Sequence, residues 1–381
     1  MNPNARIVDL ALPVPKEIRP APPGGLPARC TVGLLTWNGG QDAAACVESM
    51  MAQSEAPLEL VWVDNASTDG TPERLRARFA GLPAPLVNPG NLGFCVGHNQ
   101  ALAACRTRYY LALNQDVVLA PDYIEKLCDW MDGRPELALS SGLILMPGPG
   151  GEPALDPAAA GARVYSAGLV FPRARFAFEL GMGAPPRPRW LERRLTPGVD
   201  GAAMMLRLDA CRRVSQPADE IFPSEFFAYA EEVDLALRLA RAGLACGVEG
   251  AAVASHRARG SGGFRRAAIR AKFFCNHWLL TLRHDPWPVI VRELPYLLRG
   301  EARYWLPEYA RHPWALALAL GDLFTQCRRA RRFYHAFERA FGPTRPRLDA
   351  LRALAQRELR AQEETHGNHG THGNHETHGT P

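Results

Sequence analysis

The sequence predicts an α/β fold with a mostly parallel mixed sheet, because short apolar segments alternate with helical segments between residues 30 and 263. Apolar residues form 47% of the 381 residues, which is enough to bury a sizeable core. Nine cysteines occur without a C-x-x-C pair, a pattern typical of reduced, buried thiols rather than of a disulfide framework. We therefore expect a large cytoplasmic α/β domain with an appended region.

Strands are predicted where short apolar runs end in polar or turn-forming residues, and helices where the apolar residues have helical periodicity. Pro72 stands at a first helical position, and Gly243 follows the last periodic residue of another helix. The predicted strands are residues 31–36, 58–63, 86–87, 109–113, 137–146 and 199–206. The predicted helices are residues 41–53, 94–105, 121–131 and 231–242, with one more that begins at Thr71. We interpret residues 147–198, rich in Gly, Pro and Arg, as a long irregular insertion over the site.

The two ends of the chain differ in character from the α/β part. Residues 1–29 are interpreted as a flexible Pro-rich leader, and residues 361–381 as a disordered His-rich tail. Residues 264–360 combine amphipathic helical stretches with 19 Arg and Lys against 8 Asp and Glu, a formal charge of +11 in a chain of +5. This basic region predicts either peripheral contact with the inner face of the cytoplasmic membrane or a helical subdomain or dimer interface.

Polar residues follow the predicted strands, at the sheet edge where ligands bind in parallel α/β folds. Trp37 follows the first strand, the loop DNASTDGT begins at Asp64, and Asn114, Gln115 and Asp116 follow the strand of residues 109–113. A carboxylate at a strand end can bind a divalent cation that bridges a diphosphate. The alternatives are an ordinary turn for the first loop and a helix-capping aspartate for the second.

Three carboxylates, Glu231, Glu232 and Asp234, lie at the start of the helix predicted over residues 231–242. They either interact favourably with the helix dipole or supply a general base for a hydroxyl group. Neighbouring carboxylates raise one another's pKa, which suits a base. His256, after the apolar stretch AAVAS, is a candidate metal ligand, although a lone histidine is usually structural.

These motifs together resemble family 2 glycosyltransferases, in particular the rhamnosyltransferase-like bacterial branch with the GT-A fold. The matching segments are, in order, TWNGG, VDNASTDGT, NPGNLGFCVGHNQAL, LNQDVVLAPD, DGAAMMLRLDA, FFAYAEEVDLALRLARAG and ASHRARGS. The resemblance implies a Rossmann-like GT-A domain over residues 30–263 and an inverting transfer of a sugar from a nucleotide-sugar donor, of the dTDP-rhamnose or UDP-hexose type. It further implies a saccharide or lipid-linked acceptor, and no nucleic-acid partner.

The resemblance also assigns roles to individual residues. Asp116 would hold Mg²⁺ or Mn²⁺, with His256 completing the metal or diphosphate site. Glu232 falls at the position of the catalytic base, with Glu231 and Asp234 as neighbouring candidates. The candidates for donor binding are Thr36, Trp37, Asp64, Asn65, Asn91, Gly93, Asn99, Asn114 and Gln115.

The chain departs from the family pattern in three places. Asn114 and Gln115 replace acidic residues of stricter D-x-D sites, and Glu232 replaces the usual aspartate with a side chain one methylene longer. Residues 218–227, ADEIFPSEFF, are longer than the corresponding segment of the branch. A nucleotidyltransferase is disfavoured because the loop TWNGGQDAA lacks basic residues, whereas a non-catalytic nucleotide-sugar-binding component of a glycan assembly complex stays open.

Overall fold

The computed structural model describes residues 28–55, 57–171, 177–216, 219–258, 267–302, 306–342 and 353–358. The predicted leader, apart from its last two residues, and the predicted His-rich tail lie outside these ranges. The strands within the ranges are β1 (Cys30–Thr36), β2 (Glu59–Asp64), β3 (Leu86–Val87), β4 (Tyr109–Asn114), β5 (Val117–Leu119), β6 (Leu137–Leu145), β7 (Val164–Ser166), β8 (Leu169–Val170), β9 (Phe178–Glu179), β10 (Arg193–Thr196), β11 (Ala203–Arg207) and β12 (Ala245–His256). The helices are α1 (Gly40–Met51), α2 (Thr71–Arg78), α3 (Gly93–Ala104), α4 (Tyr123–Asp132), α5 (Leu208–Arg213), α6 (Glu231–Arg241), α7 (Ala267–His284), α8 (Trp287–Gly300), α9 (Leu306–Arg311) and α10 (Pro313–Phe341).

Ten of these strands form one mixed sheet, in the order β10-β12-β6-β11-β4-β1-β2-β3, with β5 paired to β12 and β7 paired to β6. Strands β1, β2, β3 and β4 are mutually parallel, and β6 is parallel to β12. Strand β11 lies between β4 and β6 and is antiparallel to both. The six other strands named here, β1, β2, β3, β4, β6 and β12, therefore run in one direction. The predicted mostly parallel α/β sheet is therefore confirmed.

Helices cover both faces of the sheet. One hydrophobic cluster joins the sheet to α1, α2 and α4, and another joins it to α3, α5, α6, α7 and α10. The second cluster includes Phe274 of α7 and Phe333 of α10 beside Leu139 and Met204 of the sheet. The basic C-terminal helices thus share a core with the α/β part. The predicted domain boundary between residues 263 and 264 lies outside the described residues and stays a prediction.

The predicted irregular insertion is more ordered than its sequence suggests. Residues 147–198 contain four short strands, β7 to β10, of which β7 and β10 join the main sheet. The strand predicted over residues 199–206 begins only at Ala203, which leaves Asp200 in a loop. Strand β12 was not predicted, because its first half, ACGVEGA, has few β-branched or aromatic residues. It nevertheless carries His256 to the edge of the sheet.

No helix in the described part of the chain is both long enough and apolar enough to cross a membrane. All nine cysteines are free, and all but Cys327 are buried, as the sequence predicted. Burial raises the pKa of thiols such as Cys46 above its ordinary value, so these side chains act as small apolar core residues.

Candidate active site

The functional candidates converge on the edge of the sheet at which the parallel strands end. Thr36, Asp64, Asn114 and His256 are the last residues of β1, β2, β4 and β12. The loop before β11 reaches the same edge, since the backbone of Asn114 donates a 2.9 Å hydrogen bond to the carbonyl of Ala202. Because β11 is antiparallel, its beginning lies where its neighbours end.

Asp116 and His256 are brought together by strand pairing. Strand β5 begins at Val117 and pairs antiparallel with the end of β12, with Val117 opposite His256. Oδ1 of Asp116 lies 3.2 Å from Nε2 of His256, and both side chains are largely buried. Burial alone would lower the pKa of His256, but the hydrogen bond to Asp116 raises it above its ordinary value. The edge of Tyr165, from the insertion, covers the imidazole ring at 4.7 Å between centroids.

Two of the predicted donor-binding residues fix the loops after β1 and β2. The hydroxyl of Thr36 donates to Oδ1 of Asp64 over 2.6 Å, and it accepts the indole N–H of Trp62. Asp64 also accepts the backbone N–H and the hydroxyl of Ser67, which holds the turn of the DNASTDGT loop. Thr36 and Asp64 are both buried, so in this structure they stabilise the loops from the protein interior.

Asn65 and Gly93 connect the DNASTDGT loop to the beginning of α3. The amide of Asn65 donates to the carbonyl of Gly93 over 3.1 Å and accepts from Asn88. Gly93 has a φ of +84°, and a Cβ atom there would lie 2.4 Å from the carbonyl oxygen of Phe227. Only glycine therefore permits this close contact between α3 and the loop before α6.

Gln115 joins the loop after β4 to the loop after β1. Its side-chain amide exchanges two 2.9 Å hydrogen bonds with the backbone of Trp37. A Cβ atom at Gly39 would lie 2.3 Å from the carbonyl oxygen of this amide and 2.7 Å from the Cβ of Ala43, so a larger residue there would displace the amide. Trp37 itself is partly exposed beside these loops, as is Asn114.

Asn91 and Asn99 also make hydrogen bonds within the protein. Asn91 accepts the backbone N–H of Gly93 over 2.9 Å at the start of α3. Asn99 donates to the carbonyl of Phe222 and accepts the N–H groups of Ile221 and Phe222. This use of Asn99 argues against a direct contact with a donor, whereas the partly exposed Asn91 keeps that role as a prediction.

Glu231 and Glu232 begin α6, and a Cβ atom at Gly201, in the loop before β11, would lie 3.9 Å from Oε1 of Glu231 and 3.7 Å from the Cβ of Glu232. Glu231 is 5% exposed and its Oε2 atom has no hydrogen-bond partner among the described residues, whereas Glu232 is partly exposed. Burial raises the pKa of Glu231 to about 7. Burial and the charge of Glu231 raise the pKa of Glu232 well above its ordinary value. Of the two, Glu232 is the carboxylate more accessible to a ligand.

The structure argues against a catalytic role for Asp234, the third predicted carboxylate. Asp234 is 0% exposed and contacts Arg238 at 2.8 Å, Arg283 at 2.7 Å and His284 at 2.9 Å. Although burial opposes ionisation, Arg283 and Arg238 hold the pKa of Asp234 well below its ordinary value. Asp234 therefore belongs to a buried ion cluster that fastens α6 to α7, out of reach of a substrate.

Three site residues were missed by the sequence analysis, namely Asp200, Glu179 and Tyr165. Burial raises the pKa of Asp200, the charge of His256 opposes this rise, and the charge of Asp116 adds to it. The charge of Asp200 in turn contributes to the raised pKa values of Glu231 and Glu232. Burial and the charge of Asp200 raise the pKa of Glu179 well above its ordinary value. Asp200 precedes a strand in DGAAMML and was hidden by the predicted strand over residues 199–206. Glu179 and Tyr165 come from the insertion, where no pattern marked them.

The loop before α6 is strained, and a side chain of α7 makes hydrogen bonds to three of its carbonyls. Phe227, Tyr229 and Ala230 have φ values of 65°, 72° and 67°, in the region that favours glycine. The side-chain amide nitrogen of Asn276, on α7, donates to the carbonyls of Phe226, Ala228 and Tyr229 over 3.1, 3.0 and 2.8 Å. Asn276 thus holds the backbone that positions Glu231 and Glu232.

We expect Asn276→Asp to lower kcat by about 10- to 100-fold, because displacement of a reacting group by about 1 Å has this effect. The aspartate keeps the size of the side chain but turns acceptor oxygens towards three carbonyls. Steady-state kinetics should show the loss in kcat with little change in the KM for the donor. Thr281→Val is the matched control, since Thr281 is buried on α7 but bonds only its own helix, at the carbonyl of His277. Equal losses in both variants would contradict a positioning role.

The residues present fit a divalent cation only as a partial ligand set. Among the described residues, no group of three or more His, Cys, Asp or Glu side chains is arranged to hold a metal ion. Asp116 and His256 form a pair, and their 3.2 Å separation matches neighbouring ligands that are each about 2.1 Å from one metal ion. Mg²⁺ commonly takes one or two protein ligands plus substrate phosphates and water. The pair therefore suits a cation that the donor diphosphate helps to bind.

A mixed α/β sheet with acidic residues and a histidine at its carboxyl edge is the architecture of GT-A glycosyltransferases. Residues 31–143 match the sequence profile described as Glycosyl transferase family 2. This match supports a family 2 glycosyltransferase, and the protein is a glycosyltransferase.

Individual relatives agree with this assignment. The chain is 25% identical over 283 residues to N-acetylglucosaminyl-diphospho-decaprenol L-rhamnosyltransferase of Mycobacterium tuberculosis (strain CDC 1551 / Oshkosh), covering 66% of this chain and 84% of that protein. It is 31% identical over 111 residues to chondroitin synthase of Escherichia coli, covering 29% of this chain and 16% of that protein. The structure of GalNAc-T7 with UDP, GalNAc and Mn²⁺ aligns with a TM-score of 0.55 and 12% identity. That alignment covers 81% of this chain and 55% of that one, and it bears on the fold alone.

Proposed function

We propose that this glycosyltransferase moves a sugar from a nucleoside diphosphate sugar to a lipid-linked saccharide, with inversion at the anomeric carbon. The observation that carries the proposal is that the loop before β11 contacts both the end of β4, which precedes Asp116, and the start of α6, which carries Glu232. The backbone of Asn114 donates to the carbonyl of Ala202 over 2.9 Å, and a Cβ atom at Gly201 would lie 3.7 Å from the Cβ of Glu232. This supports a site for the diphosphate beside a base for the acceptor hydroxyl. The relative from M. tuberculosis, an N-acetylglucosaminyl-diphospho-decaprenol L-rhamnosyltransferase, supports the acceptor class.

The proposed reaction is a single displacement. Glu232 accepts the proton of the acceptor hydroxyl while the oxygen of that hydroxyl forms a bond to the anomeric carbon. The bond between that carbon and the diphosphate oxygen breaks, and the electron pair leaves with the nucleoside diphosphate. Asp116 and His256 would hold Mg²⁺ or Mn²⁺, which when bound neutralises charge on the leaving group. The structure of GalNAc-T7, which shares the fold, contains UDP and Mn²⁺.

The donor site is proposed to lie along the loops after β1, β2 and β4. Trp37 and Asn114 are the partly exposed side chains there, and Asn91 stands at the start of α3. Thr36, Asp64, Asn65, Gly93 and Gln115 would act mainly by shaping this surface through the hydrogen bonds and close contacts described above. We propose the catalytic domain as residues 30–263, with residues 264–360 supporting the loop before Glu231.

A donor screen followed by a transfer assay tests this function. Thermal shift with dTDP-rhamnose and with UDP-hexoses, each with Mn²⁺, should select one nucleotide sugar. The selected donor should then give a glycosylated product with N-acetylglucosaminyl-diphospho-polyprenol, detected by mass spectrometry. A stable donor complex without transfer or donor hydrolysis would favour a non-catalytic binding protein. Transfer only to a water-soluble saccharide would retain the enzyme but refute the lipid-linked acceptor.

A further inference from the structure

Large exposed apolar side chains are concentrated on the C-terminal helices. Ten of the sixteen such side chains among the described residues lie between Trp287 and Phe324. Trp314 and Phe324 are 80% and 82% exposed, more than any other large apolar side chain described. Soluble proteins rarely expose apolar residues in such concentration unless the surface binds a partner.

On α8 the apolar side chains form a stripe. Trp287, Val291, Leu294 and Leu298 are exposed at spacings of three or four residues, which places them on one face of the helix. Val289, Ile290, Glu293 and Leu297 are the buried residues of the same helix. The helix thus has one apolar face that packs against the protein and a second apolar face that is exposed.

On α10 an apolar half is followed by a basic half. Trp314, Leu318 and Phe324 are exposed in the first half, and Arg328, Arg332 and Arg339 are exposed in the second. The two acids of α10 are Asp322, paired with Lys272, and Glu338, which accepts the hydroxyl of Tyr334. Both acids are only partly exposed, and the exposed residues of α8 include arginines but no carboxylate.

The guanidinium carbon of Arg331 on α10 lies 4.8 Å from the ring centroid of Trp287 on α8, which brings the two helices together. We propose that these exposed faces of α8 and α10, here called the α8–α10 surface, bind the surface of a membrane that contains anionic lipids. Tryptophan and other apolar side chains insert at the level of the headgroups, and arginines attract anionic headgroups beside them. A second copy of the chain fits less well, since a two-fold contact would set the same arginine-bearing surface against itself.

Packing contacts connect the α8–α10 surface to the active site. Helix α10 packs along α7, and both share the hydrophobic cluster that reaches the sheet. Asn276 of α7 in turn contacts the loop that begins α6. A membrane bound at this surface would be connected to that loop through α10 and α7. In this respect the inference rests on the proposed transfer to a lipid-linked acceptor.

Flotation of the full chain with vesicles tests the proposal without any need for catalysis. Wild type should co-float with vesicles of phosphatidylcholine and phosphatidylglycerol, and less with phosphatidylcholine alone or at high salt. The double variant W314S/F324S should lose at least about tenfold in vesicle affinity, because two large apolar side chains no longer insert. M51S/M182S is the matched control, since Met51 and Met182 are exposed elsewhere. This control should float like wild type.

Three outcomes would overturn the proposal: failure of the wild type to float, equal flotation of W314S/F324S, and equal losses in both double variants. A dimer of the wild type that W314S/F324S dissociates, without vesicle binding by either, would identify the surface as a contact between copies. Transfer to the lipid-linked acceptor, dispersed in detergent, is measured separately. Absence of that reaction in a wild type that still floats would refute the proposed function and leave the membrane surface in place.

Discussion

Glu232→Gln is expected to lower kcat by about 10²- to 10⁴-fold, the contribution that a positioned general base makes. Glutamine keeps the length and hydrogen-bonding shape of the side chain but does not accept a proton at neutral pH. Because Glu232 is on α6 and the donor loops follow β1, β2 and β4, the Kd of the donor should change little. Single-turnover kinetics and donor titration together separate these two effects.

The pH dependence of the wild-type activity is a second test of Glu232 as the base. A base must be deprotonated, and burial together with Glu231 raises the pKa of Glu232. Activity should therefore fall with decreasing pH through a pKa above the value of about 4.3 that is ordinary for glutamate. Glu232→Asp keeps a carboxylate and should retain more activity than Glu232→Gln. Glu192→Gln, an exposed control, should behave as wild type.

Glu231→Gln distinguishes the two neighbouring carboxylates. If Glu232→Gln turns over normally while Glu231→Gln does not, the proton acceptor is Glu231, and our assignment is wrong. Glu231 is the more buried of the pair and its Oε2 atom has no hydrogen-bond partner among the described residues. For this reason a partial loss in Glu231→Gln is expected through its effect on the pKa of Glu232.

The order of local signals was enough to predict the sheet and the edge at which the site lies. The strands that end in Asp64 and in Asn114 could be predicted because the apolar run and its polar end are adjacent in the sequence. The pairing of Asp116 with His256 was harder, since it depends on β5 and β12, which are 3 and 12 residues long. Only the family motif joined these two residues before the structure did.

Other parts of the site depend on contacts that a local pattern does not encode. Asp234 was grouped with Glu231 and Glu232 by sequence proximity, yet its partners Arg283 and His284 lie on α7. Helical geometry turns residue 234 to the opposite side of α6 from a site reached by residue 232, because two positions differ by about 200°. Glu179 belongs to a two-residue strand within the insertion, too short for any periodicity to mark.

Asp116→Asn is expected to lower kcat/KM by at least about 10²-fold, because it removes the charge that would bind the cation while keeping the size of the side chain. Titration of Mn²⁺ in the presence of the nucleoside diphosphate should show weaker binding in the variant. A chelator should inactivate the wild type, and added Mn²⁺ or Mg²⁺ should restore it. The rate and the cation affinity should fall together, since one ligand serves both.

His256→Gln is expected to resemble Asp116→Asn, because the two side chains are 3.2 Å apart and would hold the same cation. Asp129→Asn is a matched surface control, with a largely exposed carboxylate at the end of α4. Asp116→Asn enzyme that still binds the diphosphate in a strictly Mn²⁺-dependent way would show that the cation is held elsewhere. Loss of cation binding with normal turnover would instead remove the metal from the reaction, leaving Glu232 and the loop held by Asn276 as the catalytic apparatus.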